Sequence, residues 1–159
     1  MAESFEPRDP DFERRTRESF LRQAFMTELG AEMRMVQAGH VEIAMPYSAR
    51  LTQQHGYMHG IALSAIADSA AGYAAFTLMD VGDSPLSVEY KVNLLRPGAG
   101  KEFIAKADVI KAGRTLTVVK ADVWAIQDDG NAVLAQTMLQ TMIALAGRGD
   151  QVEHGPGHG

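Results

Sequence analysis

Between residues 11 and 29, Phe20, Leu21, Ala24, Phe25 and Leu29 fall at three- and four-residue spacing among charged positions. That period puts them on one side of a helix, and Gly30 offers a stop. The period then shortens. Met33 and Met35 alternate with polar residues over 31–37, and Val41, Ile43 and Met45 do so over 40–46. With Ala38-Gly39 between them, the two segments predict a hairpin. From 59 to 79 the chain is rich in Ala, Ser and Gly, and Asp68 is its sole charge. This stretch predicts a helix buried on all sides.

After Asp83-Ser84-Pro85 the period becomes two. Leu86, Val88, Tyr90, Val92 and Leu94 share one face, with Ser87, Glu89, Lys91 and Asn93 on the other, until Pro97-Gly98 closes the strand. Further strands are predicted over 102–111, 115–127 and 132–144. They are joined by Ala112-Gly113-Arg114 and by Asp128-Asp129-Gly130-Asn131, both with hairpin-turn chemistry. The order is helix, hairpin, buried helix, then a meander of four long strands. It predicts an α+β fold in which an antiparallel sheet wraps the long helix. Small side chains on that helix let a curved sheet close tightly around it. The chain divides into an N-terminal segment (1–30), one domain (31–146) and a glycine-rich tail (147–159) that reads as disordered.

Composition narrows the function. With 46% hydrophobic residues in 159, a full core can be buried. A net charge of -5 argues against general nucleic-acid binding, which needs a basic surface to displace counterions. The absence of cysteine removes disulfides, thiolate metal sites and a Cys nucleophile. Residues 1–12 are acidic and carry prolines, without the basic start and apolar core of a secretory signal, so a cytoplasmic location is expected. A carboxylate in the middle of an Ala-, Ser- and Gly-rich stretch speaks for a buried helix and against a membrane span.

Two readings of Asp68 are open on the residues alone. It could sit on a solvated helix edge, or be satisfied by Ser64 one turn away. Alternatively, with Ala67, Ser69, Ala71 and Gly72 around it and no cation near in sequence, it could be a buried carboxylate with a raised pKa, the profile of a functional base. The preceding turn favours function. Gly60 near the helix start leaves backbone N–H groups free at the positive end of the helix dipole, where a developing oxyanion would be stabilised. The two are eight residues apart, about 12 Å along a helix axis. One substrate carbonyl cannot comfortably touch both in the same chain. If both act on it, two antiparallel copies of the helix must lie side by side in a twofold dimer, each supplying Gly60 to the other's Asp68.

The spacing Gln-x5-His-Gly-x7-Asp, from Gln53 through His59-Gly60 to Asp68, resembles the signature of hotdog-fold acyl-CoA thioesterases of the PaaI-like group. The resemblance runs from about residue 32 to 146 and includes the strand that ends at Arg96-Pro97 and the turn around Lys111-Ala112-Gly113-Arg114-Thr115. It implies a hotdog fold and hydrolysis of an acyl-CoA. Asp68 would be general base or nucleophile, the Gly60 N–H the oxyanion donor, Gln53 a holder of thioester or water, and Ser87 a hydroxyl that orients the water. It also implies CoA contacts at Arg96, Pro97, Lys111, Gly113, Arg114 and Thr115, with Asn93 and His59 on the substrate as well. Where most members have His-Gly-Gly, Ile61 follows Gly60 here, which narrows the acyl pocket but leaves the first glycine in place.

His59, at a helix start, reads as a positioning residue bonded to the turn or the substrate. The remaining histidines show no metal-ligand spacing, and neither a metal nor a cofactor is expected. No Gly-x-Ser-x-Gly elbow is present. Arg114 reads either as an ordinary turn residue or as a phosphate contact. A hotdog protein that binds acyl-CoA without turnover is the competing function, and a buried Asp68 would be of no use to it. A hydratase of the same fold would carry His where Tyr73 stands. Tyr57, Met58 and the Met-rich hairpin would line a pocket for a medium-length aliphatic or an aryl acyl group, and the dimer could pair into a tetramer.

Overall fold

The computed structural model describes residues 5–149. Two short helices, α1 (Phe12–Phe20) and α2 (Ala24–Glu28), precede a hairpin of β1 (Glu32–Gln37) and β2 (His40–Pro46). Then come the long helix α3 (Gly60–Phe76) and the strands β3 (Ser84–Leu94), β4 (Glu102–Ala112), β5 (Leu116–Ile126) and β6 (Ala132–Leu145). All six strands form one antiparallel sheet, which packs its inner face on α3. This is the hotdog arrangement.

The close approach of helix and sheet comes from small side chains on both. Ala67, Ala70, Ala71, Ala74 and Ala75 of α3 are buried, as are Ala105, Ala107, Ala121 and Ala125 of the strands. Phe76, Phe103, Ile43, Met45, Leu63 and Ile66 fill the remaining core. Close packing of this kind leaves a carboxylate or an amide on the inner face little room to move.

The predicted helix over 11–29 is two helices. Leu21 to Gln23 leave the α-helical path, with Arg22 N–H bonded to Ser19 O and Gln23 N–H to Phe20 O. The break turns α2 so that Met26 and Leu29 are buried, while Leu21 and Phe25 of the expected stripe stay exposed. Gly30 does stop the helix. It takes φ +65°, and the Ala31 N–H reaches Met26 O while the Gly30 N–H reaches Thr27 O, the bond pair of a glycine-terminated helix. In β1 a bulge between Met33 and Met35 turns Met35 outward and gives its inner place to Val36.

Sheet order departs from the expected meander. It runs β1-β2-β4-β5-β6-β3, so β3 pairs with β6 at the far edge and not with its successor β4. The connection after β3 is tied down along its own path. Leu95 and Arg96 donate to Ala135 O, Gly98 bridges Met58, and the Lys101 N–H reaches Ile126 O. Gly98 lies so close to this partner that a Cβ on it would sit 2.8 Å from Met58 O. Of the glycine-rich tail expected to be disordered, residues 147–149 are bonded instead: the Gly147 N–H donates to Asp83 and the Gly149 N–H to Gly82 O. Residues 150–159 lie outside the described residues. Among the described residues, no helix is long and apolar enough to cross a membrane.

Candidate active site

Asp68 sits in the third turn of α3, half-buried beneath the junction of β3 and β6. A bulge between Ser87 and Glu89 decides what meets it. Without the bulge, alternation would put Ser87 on the outer face with Glu89, Lys91 and Asn93. With Val88 as the extra residue, Ser87 pairs with the buried Met142 and Tyr90 with the buried Gln140, so both turn inward. The one-face grouping of Leu86 with Tyr90 and Val92 is corrected for the same reason.

Ser87 Oγ then donates to Asp68 Oδ1 at 2.8 Å. Gln140 Nε2 donates to the same Oδ1 and, at 2.8 Å, to Ser87 Oγ. Both donors are uncharged. Oδ2 takes no hydrogen bond among the described residues. Ser64 leaves Asp68 alone: its hydroxyl contacts Gly60 O at 3.0 Å and Gln136 Oε1 at 3.3 Å. The carboxylate opens on a cavity of about 180 Å³ walled by Ser19, Gln23, Ser69, Gly72, Leu86 and Met142. Ser69 Oγ donates to Gln23 Oε1 there at 3.3 Å, and the Ser19 and Tyr73 hydroxyls are 3.1 Å apart.

The other end of α3 forms a second pocket. His59 is the N-cap, its Nδ1 accepting from the Ile61 N–H at 3.1 Å. The Ala62 and Leu63 N–H groups both turn to His59 O. Of the first four helix donors this leaves the Gly60 N–H with no acceptor among the described residues. It faces a cavity of about 540 Å³ lined by Gln53, Tyr57, Met58, Leu94, Arg96 and Pro97 among others. Gln53 Oε1 is held by the His55 N–H of its own loop.

The remaining site residues read from the sequence divide between these ends or lie outside them. Arg96, exposed, donates from Nη1 to Leu134 O at 2.8 Å beside the Gly60 cavity. Lys111, Gly113, Arg114 and Thr115 lie at or beside the β4–β5 turn, near the C-terminal end of α3. There Gly113, Arg114 and Thr115 border a third cavity with Ala75 and Met79. Gly113 is required by that turn, since a Cβ would meet Leu116 O at 2.6 Å. Arg96 and Arg114 are thus at opposite ends of one chain's helix. Asn93 pairs with Thr137 on the outer face and lines neither the Asp68 nor the Gly60 cavity.

Gln140 was not singled out in the sequence. The available signal was the alternation Gln136, Met138, Gln140, Met142 against Thr137, Leu139, Thr141, Ile143. The second set has the stronger strand-core character, yet the first faces α3 and is buried.

Comparison with known proteins follows this geometry. The sequence pattern of the Thioesterase superfamily matches residues 55–132. A thioesterase family protein from Silicibacter pomeroyi is 46% identical and superposes with a TM-score of 0.84 over 86% of this chain and 99% of that one. A conserved protein from Pseudomonas aeruginosa is 29% identical, with a TM-score of 0.72 over 81% and 98% of the two chains. The PaaI protein of the E. coli phenylacetic acid degradation operon shares the fold, with a TM-score of 0.76 at 20% identity over 86% and 95%.

Proposed function

Since the chain belongs to the thioesterase superfamily, we propose that it hydrolyses an acyl-CoA to the free acid and CoA, in a site shared across a twofold dimer. The observation that carries this reading is the division of labour along α3. Asp68 has one oxygen anchored by Ser87 and Gln140 and one unengaged, while the unpartnered Gly60 N–H lies two turns away in a separate cavity.

In this mechanism a water beside Ser87 loses its proton to Asp68 Oδ2 as its oxygen attacks the thioester carbonyl. The carbonyl oxygen becomes an oxyanion held by the N–H of Gly60 of the partner subunit, with the dipole of that helix behind it. Collapse breaks the C–S bond, and the CoA thiolate takes the proton from Asp68. The Gln53 side chain steadies the thioester, and His59 keeps the helix start open by tying up the Ile61 N–H. The acyl group, aliphatic of medium length or aryl, enters the cavity walled by Gly72, Leu86 and Met142.

A dimer is supported by the sheet edge. Among the described residues β3 has no neighbour on its outer side, and Leu86, Val88, Tyr90, Leu94 and Leu95 are exposed along and just past it. A long, bare, apolar edge calls for cover. A second copy with α3 antiparallel covers it and brings Asp68 of one subunit to Gly60 of the partner subunit. The same symmetry puts Arg114 beside Arg96 of the partner subunit, a pair of guanidinium groups suited to CoA phosphates.

The test is subunit complementation, read as release of free CoA from a panel of aliphatic and aryl acyl-CoAs. Asp68→Asn and Gly60→Pro each lose turnover as pure proteins. Refolded together, they recover about a quarter of the wild-type rate, because half of the randomly paired dimers are mixed and each mixed dimer keeps one intact site of two. No recovery on mixing defeats the shared site. Tight acyl-CoA binding by the wild type without turnover defeats hydrolysis and leaves a binding protein.

A further inference from the structure

From the environment of one buried amide we infer that Gln140 is a positioning residue for Asp68: it fixes the carboxylate and the Ser87 hydroxyl in the one arrangement that leaves Asp68 Oδ2 open to water. The inference rests on the proposed role of Asp68 as base.

Gln140 is wholly buried on the inner face of β6, between Met138 and Met142 and opposite Val119 of β5. A methionine would fill such a place without burying polar atoms, so an amide there is unfavourable unless its bonds repay the desolvation. Its two Nε2 hydrogens go to Asp68 Oδ1 and to Ser87 Oγ. Its Oε1 is buried with no partner among the described residues. The side chain is therefore held by its donor end alone, which meets Asp68 and Ser87 and also lies 3.2 Å from Met142 Sδ, a weak acceptor. The opposite amide orientation would set Oε1 against an ionised carboxylate oxygen, so the arrangement suits a charged Asp68.

Two consequences follow from the donor geometry. Because Ser87 Oγ accepts from Gln140, its own hydrogen is directed to Asp68 Oδ1, which sets the direction of the hydroxyl. Because Oδ1 takes two donors, the carboxylate plane is fixed and Oδ2 becomes the oxygen that faces the cavity. Ser87 belongs to an exposed edge strand, whereas Gln140 comes from the sheet interior between β5 and β3.

The decisive experiment measures kcat and KM for CoA release in full-length Gln140→Met, alone and in a Ser87→Ala background, beside thermal unfolding and sedimentation. Gln140→Glu serves as the isosteric second variant. The expected result for Gln140→Met is a kcat lower by about 10- to 100-fold, a KM within about twofold of wild type and an unchanged dimer. In the Ser87→Ala background the same substitution lowers kcat by a smaller factor, because part of its effect runs through Ser87. Gln140→Glu, which replaces the donor by an acceptor in the same volume, loses at least as much. A kcat that stays at the wild-type level in both variants overturns the inference, and so does a loss that multiplies in full with Ser87→Ala. Asp68→Asn is run in parallel. If it is inactive while both Gln140 variants keep the wild-type kcat, only the role of Gln140 fails; if it is active, the assignment of Asp68 fails and this inference with it.

Discussion

Ser87 and Asp68 lie on different elements, 19 positions apart, and share a 2.8 Å hydrogen bond in which the hydroxyl donates to the carboxylate. The bond exists because one extra residue at Val88 reverses the face on which Ser87 emerges. A hydrogen bond to a charged acceptor contributes about 1.5–3 kcal/mol. Ser87→Ala is therefore expected to lower kcat by about 10-fold or more and to lower the unfolding midpoint by several degrees. Steady-state CoA release and a melting curve check both halves of this statement.

The N-terminal residue of α3 offers a clean deletion of one backbone donor. Proline suits the first helical position, and His59, with φ -64° and ψ 135°, already has the extended backbone that a following proline demands. The nearest atoms to a Cβ at Gly60 are the ends of the flexible Leu94 side chain, which is 63% exposed in the single chain and can give by a change of rotamer. Gly60→Pro should keep stability within about 1 kcal/mol of wild type and reduce kcat by about 10²- to 10³-fold, the loss typical of a missing oxyanion donor. Urea unfolding and turnover, measured on the same preparation, test the two parts.

Arg15 fastens α1 to the far end of α3. Its guanidinium donates to Asp80 O at 2.8 Å, Met79 O at 2.9 Å and Phe76 O at 3.2 Å, and it lies over the Phe76 ring. Asp9 Oδ2 is 3.1 Å from Nε, near enough for charge pairing although the N–H is not aimed at it. The two side chains are only 18% and 8% exposed. Arg15→Met removes the cation beside the buried Asp9 carboxylate and the side-chain donor to the Phe76, Met79 and Asp80 carbonyls, and should destabilise the fold by about 3–5 kcal/mol. The midpoint of urea unfolding reads the change.

On the bare edge, Tyr90→Lys places a charge where a second copy is proposed to pair. Lysine on an edge strand is a common natural barrier to such pairing. The variant should sediment as a folded monomer at concentrations where wild type is a dimer, and CoA release should fall with it. A dimer that persists with full activity would rule out this edge as the interface.

The helical period around Phe20, the two-residue period of the strands and the turn residues at Gly113 and Gly130 are local properties. Steric limits on φ and ψ and the burial of one face act within a few residues, so these elements were legible from the chain. The bulges at Arg34 and Val88 were not, because an extra residue leaves the composition of a strand unchanged and shows only in its pairing. Nor was the placing of β3 beside β6, which joins segments separated by two whole strands.

By itself, the sequence determined the α+β class, the elements and the spacing that makes Gly60 and Asp68 features of one helix about 12 Å apart. The tertiary structure decided what surrounds Asp68. Ser87 comes inward only through the β3 bulge, and Gln140 reaches the carboxylate only because β6 is the strand next to β3. The physical reason lies in range: backbone preference and amphipathic period are settled between neighbours in the chain. Which polar groups converge on a carboxylate depends on pairing register and sheet order, set by the packing of the whole core at once.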